Sequence, residues 1–197
     1  MLHLPHKETI VTPRFIFHTT PLDGVFRVER KPINDGRGFF SRLYCAQEFA
    51  AIGLDKPLAQ INHSCSRVKG TVRGLHFQHP PHAETKVISC LAGRIFDVAV
   101  DLRAGSSTFL QWLGFELSAE NQESIVIPFG CAHGFQSLTD EAEIIYLVTT
   151  PYNPQAEDGV NPFDPAMGII WPEAVSEVST RDRERGMLDL TTYRGVK

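Results

Sequence analysis

Between positions 96 and 102 the chain reads Phe96-Asp97-Val98-Ala99-Val100-Asp101-Leu102, with an apolar residue at every second place. A period of two belongs to a strand with one face on a core and one toward water, so this segment is expected to be a half-buried β-strand. Similar short runs, bounded by turn-forming residues, occupy 38–44, 72–78, 86–91, 110–117, 124–127 and 143–149, and 25–29 is a shorter candidate. Helical signals are few. Residues 46–52 suit a short helix, and Ser179-Thr180-Arg181-Asp182-Arg183-Glu184 opens as a capped one. Many short strands with a helical tail constrain the chain to an all-β sandwich or barrel.

No internal repeat, low-complexity tract or long linker divides residues 1–197, so a single domain is expected. Residues 151–165, with Pro151, Pro154, Pro162 and Pro165, read as one ordered irregular excursion. A net charge of −4 and a pI near 6.0 argue against nucleic acid as a partner, because that role needs a clustered basic excess. The first residues, Met1-Leu2-His3-Leu4-Pro5-His6-Lys7-Glu8, lack the pattern of a signal peptide, and no apolar run reaches the length of a membrane span. A cytoplasmic location without a membrane partner is therefore expected. Cys45, Cys65, Cys90 and Cys131 are far apart and form no C-x-x-C pair, which fits reduced thiols rather than a disulfide framework or zinc knuckle.

The chemistry concentrates around Arg73-Gly74-Leu75-His76-Phe77-Gln78, which lies between an expected turn at Asn62-His63-Ser64 and the strand that carries Lys86. A histidine on a strand near an arginine and a lysine can serve as a base beside a bound anion. Five histidines between positions 63 and 133 invite a metal reading. A β-barrel metal site of the H-x-H kind, however, needs a second histidine two residues after His76, and Gln78, a poor ligand, stands there. His79 and His82 flank Pro80-Pro81 in an expected loop, so no bound metal is expected. Strand parity places Arg73 and His76 on opposite faces, unless Gly74 marks a bulge that re-aims one of them.

These residues, together with Leu117-Ser118-Ala119-Glu120-Asn121, the run Phe96 to Arg103 and Ile127-Pro128-Phe129-Gly130-Cys131-Ala132-His133-Gly134-Phe135, resemble the dTDP-4-dehydrorhamnose 3,5-epimerase family. The likeness runs from about Arg37 to Asp182, and several motifs in one order make it specific. It implies a double-stranded β-helix, a cupin-like jelly roll with short peripheral helices. It also implies a homodimer that exchanges an N-terminal segment of about residues 1–45, and a nucleotide-sugar substrate handled without metal or other cofactor. The implied reaction removes a hydrogen from C3 or C5 of a 4-keto sugar and returns a proton to the opposite face. Such chemistry needs a base, an acid across the ring and hydrogen-bonding or positive groups at the carbonyl oxygen.

By the resemblance, His76 is the base, Asp182 orients it, Tyr146 is the acid, and Lys86 and His133 lie near the sugar and its carbonyl oxygen. Arg73 falls at a diphosphate position and Tyr152 at the residue that stacks on the base. Gln60, Asn62, Glu157 and Arg181 fall on further ligand positions, and Arg37 and Phe39 fit the crossing strand. Without the family, each residue has an ordinary structural reading: His76 as a hydrogen-bonded core histidine, Asp182 and Arg181 as surface charges, Tyr146 as a buried tyrosine, His133 as a turn residue. Two positions depart from the family pattern. Arg42 stands where a nucleotide-contacting glutamate is usual, reversing the charge, and Leu147 replaces a lysine common after the tyrosine. The loop from Asn62 to Arg73 is one residue longer than usual. The rival readings are a single-centre epimerase, an enzyme for another nucleotide sugar, a non-catalytic sugar-nucleotide binder and a metal-dependent cupin.

Overall fold

Alternation of apolar and polar residues, broken by glycine-containing turns, produces a chain whose regular structure is almost wholly short antiparallel strands. A computed structural model describes residues 9–197. Its strands are β1 (Thr9–Val11), β2 (Phe15–Thr19), β3 (Phe26–Arg30), β4 (Ile33–Asp35), β5 (Gly38–Phe40), β6 (Gln60–Ser66), β7 (Val72–Gln78), β8 (Lys86–Ala92), β9 (Arg94–Asp101), β10 (Trp112–Ser118), β11 (Glu123–Ile127), β12 (Cys131–Ser137), β13 (Ala142–Val148) and β14 (Glu157–Gly159). One sheet has the order β1-β2-β3-β11-β8-β13-β6, the second β10-β9-β12-β7-β14, and β4 with β5 forms a separate hairpin. The two larger sheets face each other as the all-β, cupin-like jelly roll.

Both helices are single turns. α1 (Ala46–Phe49) continues into a 3₁₀ turn and stops at Gly53, whose φ of +80° suits a residue without a Cβ. α2 (Thr180–Arg183) is capped by Ser179, whose side chain accepts a hydrogen bond from the Asp182 amide.

Apolar side chains are buried in three layers rather than one. Ile88, Cys90, Ile95, Ala99, Ile125 and Ile144 fill the space between the sheets. Phe15, Phe17, Val87 and Leu147 on the outside of the larger sheet pack against Phe49 of α1. Leu75, Val98, Val100 and Ala132 on the outside of the smaller sheet are covered by Val160, Met167 and Trp171 from the irregular C-terminal quarter. This third layer corrects the expectation for 96–102. The apolar residues Val98 and Val100 face the C-terminal cover, whereas Asp97 and Ala99 face the interior, so the strand is buried on both sides.

Other expectations shift in detail. The run at 38–44 is a strand only over Gly38–Phe40, and that at 110–117 begins at Trp112 because Leu110 adopts a left-handed φ of +64°. The turn expected at Asn62-His63-Ser64 is instead the middle of β6, and His133 lies in β12 rather than in a turn. The excursion at 151–165 contains β14, which pairs with β7 and closes that edge of the smaller sheet. Residues 1–8, the start of the segment expected to cross to a partner, lie outside the described residues.

Candidate active site

β7 and β12 run side by side in the smaller sheet, with His76 and His133 as Cα partners. From His133 to Phe135 the strand β12 advances two residues, while β7 advances three between His76 and Arg73. The extra residue is taken up around Gly74, whose φ is +107°. A Cβ there would lie 2.6 Å from Gly134 Cα, so only glycine allows the two backbones to approach so closely. The bulge cancels the parity that separated the side chains, and Arg73 and His76 line the same pocket, of about 1090 Å³.

His76 Nε2 lies 2.6 Å from Asp182 Oδ1, and Asp182 Oδ2 accepts from the Gly74 amide at 3.3 Å. A bulge in one strand and a capped turn more than a hundred residues away thus fix one histidine together. Asp182 is 3 % exposed. Burial pulls its pKa upward, but the hydrogen bonds from His76 and Gly74 and the charge of His76 outweigh burial and hold it below the ordinary carboxylate value. With Nε2 engaged, Nδ1 is the ring nitrogen left for a ligand.

Tyr146 projects from β13 of the opposite sheet into the same pocket, on the side chain parity shared with Ile144 and Val148. Lys86 donates to the His76 carbonyl at 3.0 Å and pairs with Glu84 at 3.1 Å. Glu84 Oε2 accepts from Gln78 Nε2 at 2.7 Å, and Gln78 Oε1 accepts from the Asn153 amide. Gln78, at the position of a metal ligand in an H-x-H strand, therefore ties together the loops around Lys86. Among the described residues, no group of three or more His, Cys, Asp and Glu side chains gathers as a metal site. His79 instead meets Asp158 at 2.9 Å, and His82 meets Asn153.

Gln60, Asn62, Arg73, His133, Tyr152, Glu157 and Arg181 also line the pocket. Arg73 donates to Ser66 Oγ and the Cys65 carbonyl, while Gln60 accepts from the Tyr152 amide at 2.8 Å. Glu157 pairs with Arg181 and takes a 3.4 Å hydrogen bond from the Tyr152 hydroxyl, linking the groups at the mouth. Arg37, Phe39 and Arg42 are not brought to this pocket by their own chain. Arg37 pairs with Asp35 at 2.6 Å on the exposed hairpin, Phe39 is 62 % exposed, and Arg42 meets Glu48 at 3.5 Å. Sequence reading missed Glu84, two residues before Lys86 and hence on its side of the strand entry, and Asp97, which pairs with His133.

A family model described as dTDP-4-dehydrorhamnose 3,5-epimerase matches residues 19–189. The dTDP-4-dehydrorhamnose 3,5-epimerase of Salmonella typhimurium is 43 % identical over 172 residues, covering 86 % of this chain and 93 % of that protein. The chain belongs to the dTDP-4-dehydrorhamnose 3,5-epimerase family. The dTDP-4-dehydrorhamnose 3-epimerase of Streptomyces niveus is 39 % identical over 168 residues, covering 85 % of this chain and 81 % of that one. The crystal structure of the Legionella pneumophila dTDP-6-deoxy-D-glucose-3,5-epimerase, in complex with dTDP-4-keto-L-rhamnose, superposes with a TM-score of 0.83 at 38 % identity, covering 94 % of each chain.

Proposed function

We propose that the protein inverts C3 and C5 of dTDP-4-dehydro-6-deoxyglucose to form dTDP-4-dehydrorhamnose. The observation that carries this reading is a histidine–aspartate pair and a tyrosine from opposite sheets, facing one pocket beside a lysine and a second histidine. The 4-keto group acidifies the hydrogens on C3 and C5, so His76 Nδ1 removes one as a proton and the electron pair moves onto the carbonyl oxygen. Lys86 and His133 stabilise that enolate, because preorganised donors gain strength as charge develops. Tyr146 returns a proton to carbon from the opposite face, and the centre is inverted. Asp182, already ionised, holds His76 in the tautomer with Nε2–H toward itself. Arg73 and Arg181 take the diphosphate, for which guanidinium forks are suited. Gln60, Asn62 and Glu157 contact the sugar nucleotide, and Tyr152 stacks on its base at the mouth.

In this reading the protein works as a homodimer in which the N-terminal segment passes to the partner. The hairpin β4–β5 supports it: Ile33, Phe39 and Phe40 are 46 %, 62 % and 59 % exposed on one small projecting element. Docked on a partner, it would carry Arg37 and Phe39, followed by Arg42, toward the partner's pocket.

The test is to incubate the protein with the keto-sugar nucleotide in deuterated water and follow C3 and C5 by NMR, with His76→Ala as control. Exchange at both centres, abolished by the substitution, supports the dual epimerase. Exchange at C3 alone would replace it with the single-centre activity for which the Streptomyces niveus relative is named. Binding without exchange would leave a sugar-nucleotide binder, and no binding would direct attention to other nucleotides and to Arg42.

A further inference from the structure

Two histidine–carboxylate pairs stand side by side at the pocket, and they are built differently. His133 Nε2 lies 2.8 Å from Asp97 Oδ2, while its neighbour on β7, His76, is held by Asp182. Asp182 has both oxygens hydrogen-bonded, one by His76 and one by the Gly74 amide. Asp97 is 0 % exposed, on the same inner face of β9 as Ile95 and Ala99. Its Oδ1 is buried and takes no hydrogen bond from the described residues.

A carboxylate whose two oxygens are both satisfied is favoured as the anion. One in an apolar layer with a bare oxygen is favoured when its pair retains an extra proton. The groups around Asp97 and His133 include Lys86 and Cys90 on β8, His76 on β7 and Tyr146 on β13, with Glu84 behind Lys86. His133 and Lys86 pull Asp97 toward the anion, yet burial exceeds them and pushes its pKa up, opposite in direction to Asp182.

We propose that Asp97 is a positioning residue that makes His133 a hydrogen-bond donor: the His133–Asp97 pair holds one proton more than the His76–Asp182 pair. The proton count gives the same result in either form of the first pair. With Asp97 as the acid and His133 neutral, or with Asp97 ionised and His133 as imidazolium, one hydrogen lies between Nε2 and Oδ2 and the second sits on Nδ1. His133 then presents Nδ1–H to the pocket. The His76–Asp182 pair, with one proton, places it on Nε2 and leaves Nδ1 bare. Two similar pairs on adjacent strands thereby take opposite roles, one donating to an oxygen that becomes negative and one accepting a proton from carbon. The donor's use at the 4-keto oxygen rests on the epimerase reading, whereas the proton count does not.

The direct test is long-range ¹H–¹⁵N NMR of histidine-labelled protein saturated with dTDP at neutral pH, with His133→Gln and His76→Ala used for assignment. The expected spectrum shows His133 Nδ1 protonated and His76 Nδ1 unprotonated; an unprotonated His133 Nδ1 overturns the proposal without touching the epimerase reading. Activity supplies a second readout, because asparagine resembles a protonated aspartic acid and can donate to Nε2. Asp97→Asn should keep kcat within about tenfold, whereas Asp182→Asn should lower it by about 10³-fold or more by forcing His76 into the wrong tautomer. Equal losses in the two variants, with dTDP affinity preserved, would contradict the asymmetry. A wild-type protein with no C3 or C5 exchange would remove the epimerase reading and leave the NMR result to decide the proton count.

Discussion

The role proposed for His76 can be measured apart from folding, because His76 lines the pocket while its Nε2 is anchored to Asp182. His76→Ala should lower kcat by about 10²–10⁴-fold, the range expected for a lost general base, with dTDP affinity nearly unchanged by calorimetry. A matching loss of nucleotide affinity would instead make His76 a binding residue. Asp101 shows the structural counterpart. It is fully buried and accepts from Arg103, Ser106 and Thr108, and although burial opposes ionisation, these bonds hold its pKa far below the ordinary value. Asp101→Asn should destabilise the protein by about 3 kcal/mol at neutral pH, as for one partner removed from a buried pair, and denaturant unfolding would show it. His76 and Asp182 were legible in sequence through the motifs around them. Asp97 was not, since alternation alone placed it on the polar side of a strand, and only the larger sheet packing against that side made it the interior.

The decisive element is β7, where the extra residue around Gly74 brings Arg73 and His76 to one side of the sheet. Parity and the glycine were enough to expect a bulge there. Gly74→Ala would add a Cβ 2.6 Å from both Gly134 Cα and the His133 carbonyl oxygen, at a φ of +107°. It should cost about 2–4 kcal/mol from backbone strain and overpacking together, and lower kcat by shifting His76 against Asp182. Wild-type kcat and unfolding midpoint in this variant would show that the bulge is dispensable. Strands β6 and β12 were harder to read. Asn62 and Ser64 are common turn residues, and Gly134 interrupts the apolar pattern of β12, yet β6 is held extended by its pairing with β13 and β12 by its pairing with β9 and β7.

Across the whole molecule, the buried thiols and the proposed exchange of the N-terminal segment give two further expectations. Burial pushes the Cys90 and Cys131 thiols up to about 11 and about 12. An unfolded thiol titrates near ~8.5, so their contribution to stability is complete below that pH and is lost as pH rises toward the folded values. Thermal melts should therefore drop in midpoint above about pH 9, and a Cys90→Ala, Cys131→Ala double variant should flatten that slope. If the hairpin β4–β5 completes a partner's pocket, mixing and exchanging subunits of His76→Ala with those of an Arg37→Ala, Phe39→Ala variant should restore about a quarter of wild-type activity, since half the dimers carry one intact site. No recovery after verified exchange would place each site within one chain. What the amino-acid order determined by itself was the local pattern: period-two strands, the short helices, the Gly74 irregularity, and a set of motifs specific enough to imply the family and its base. Tertiary structure alone decided which polar residues are interior and which partners they meet. Asp182 meets His76 and Asp97 meets His133 only once distant strands pair and the C-terminal quarter folds over the smaller sheet, because burial and hydrogen-bond partnership depend on contacts between residues far apart in the chain.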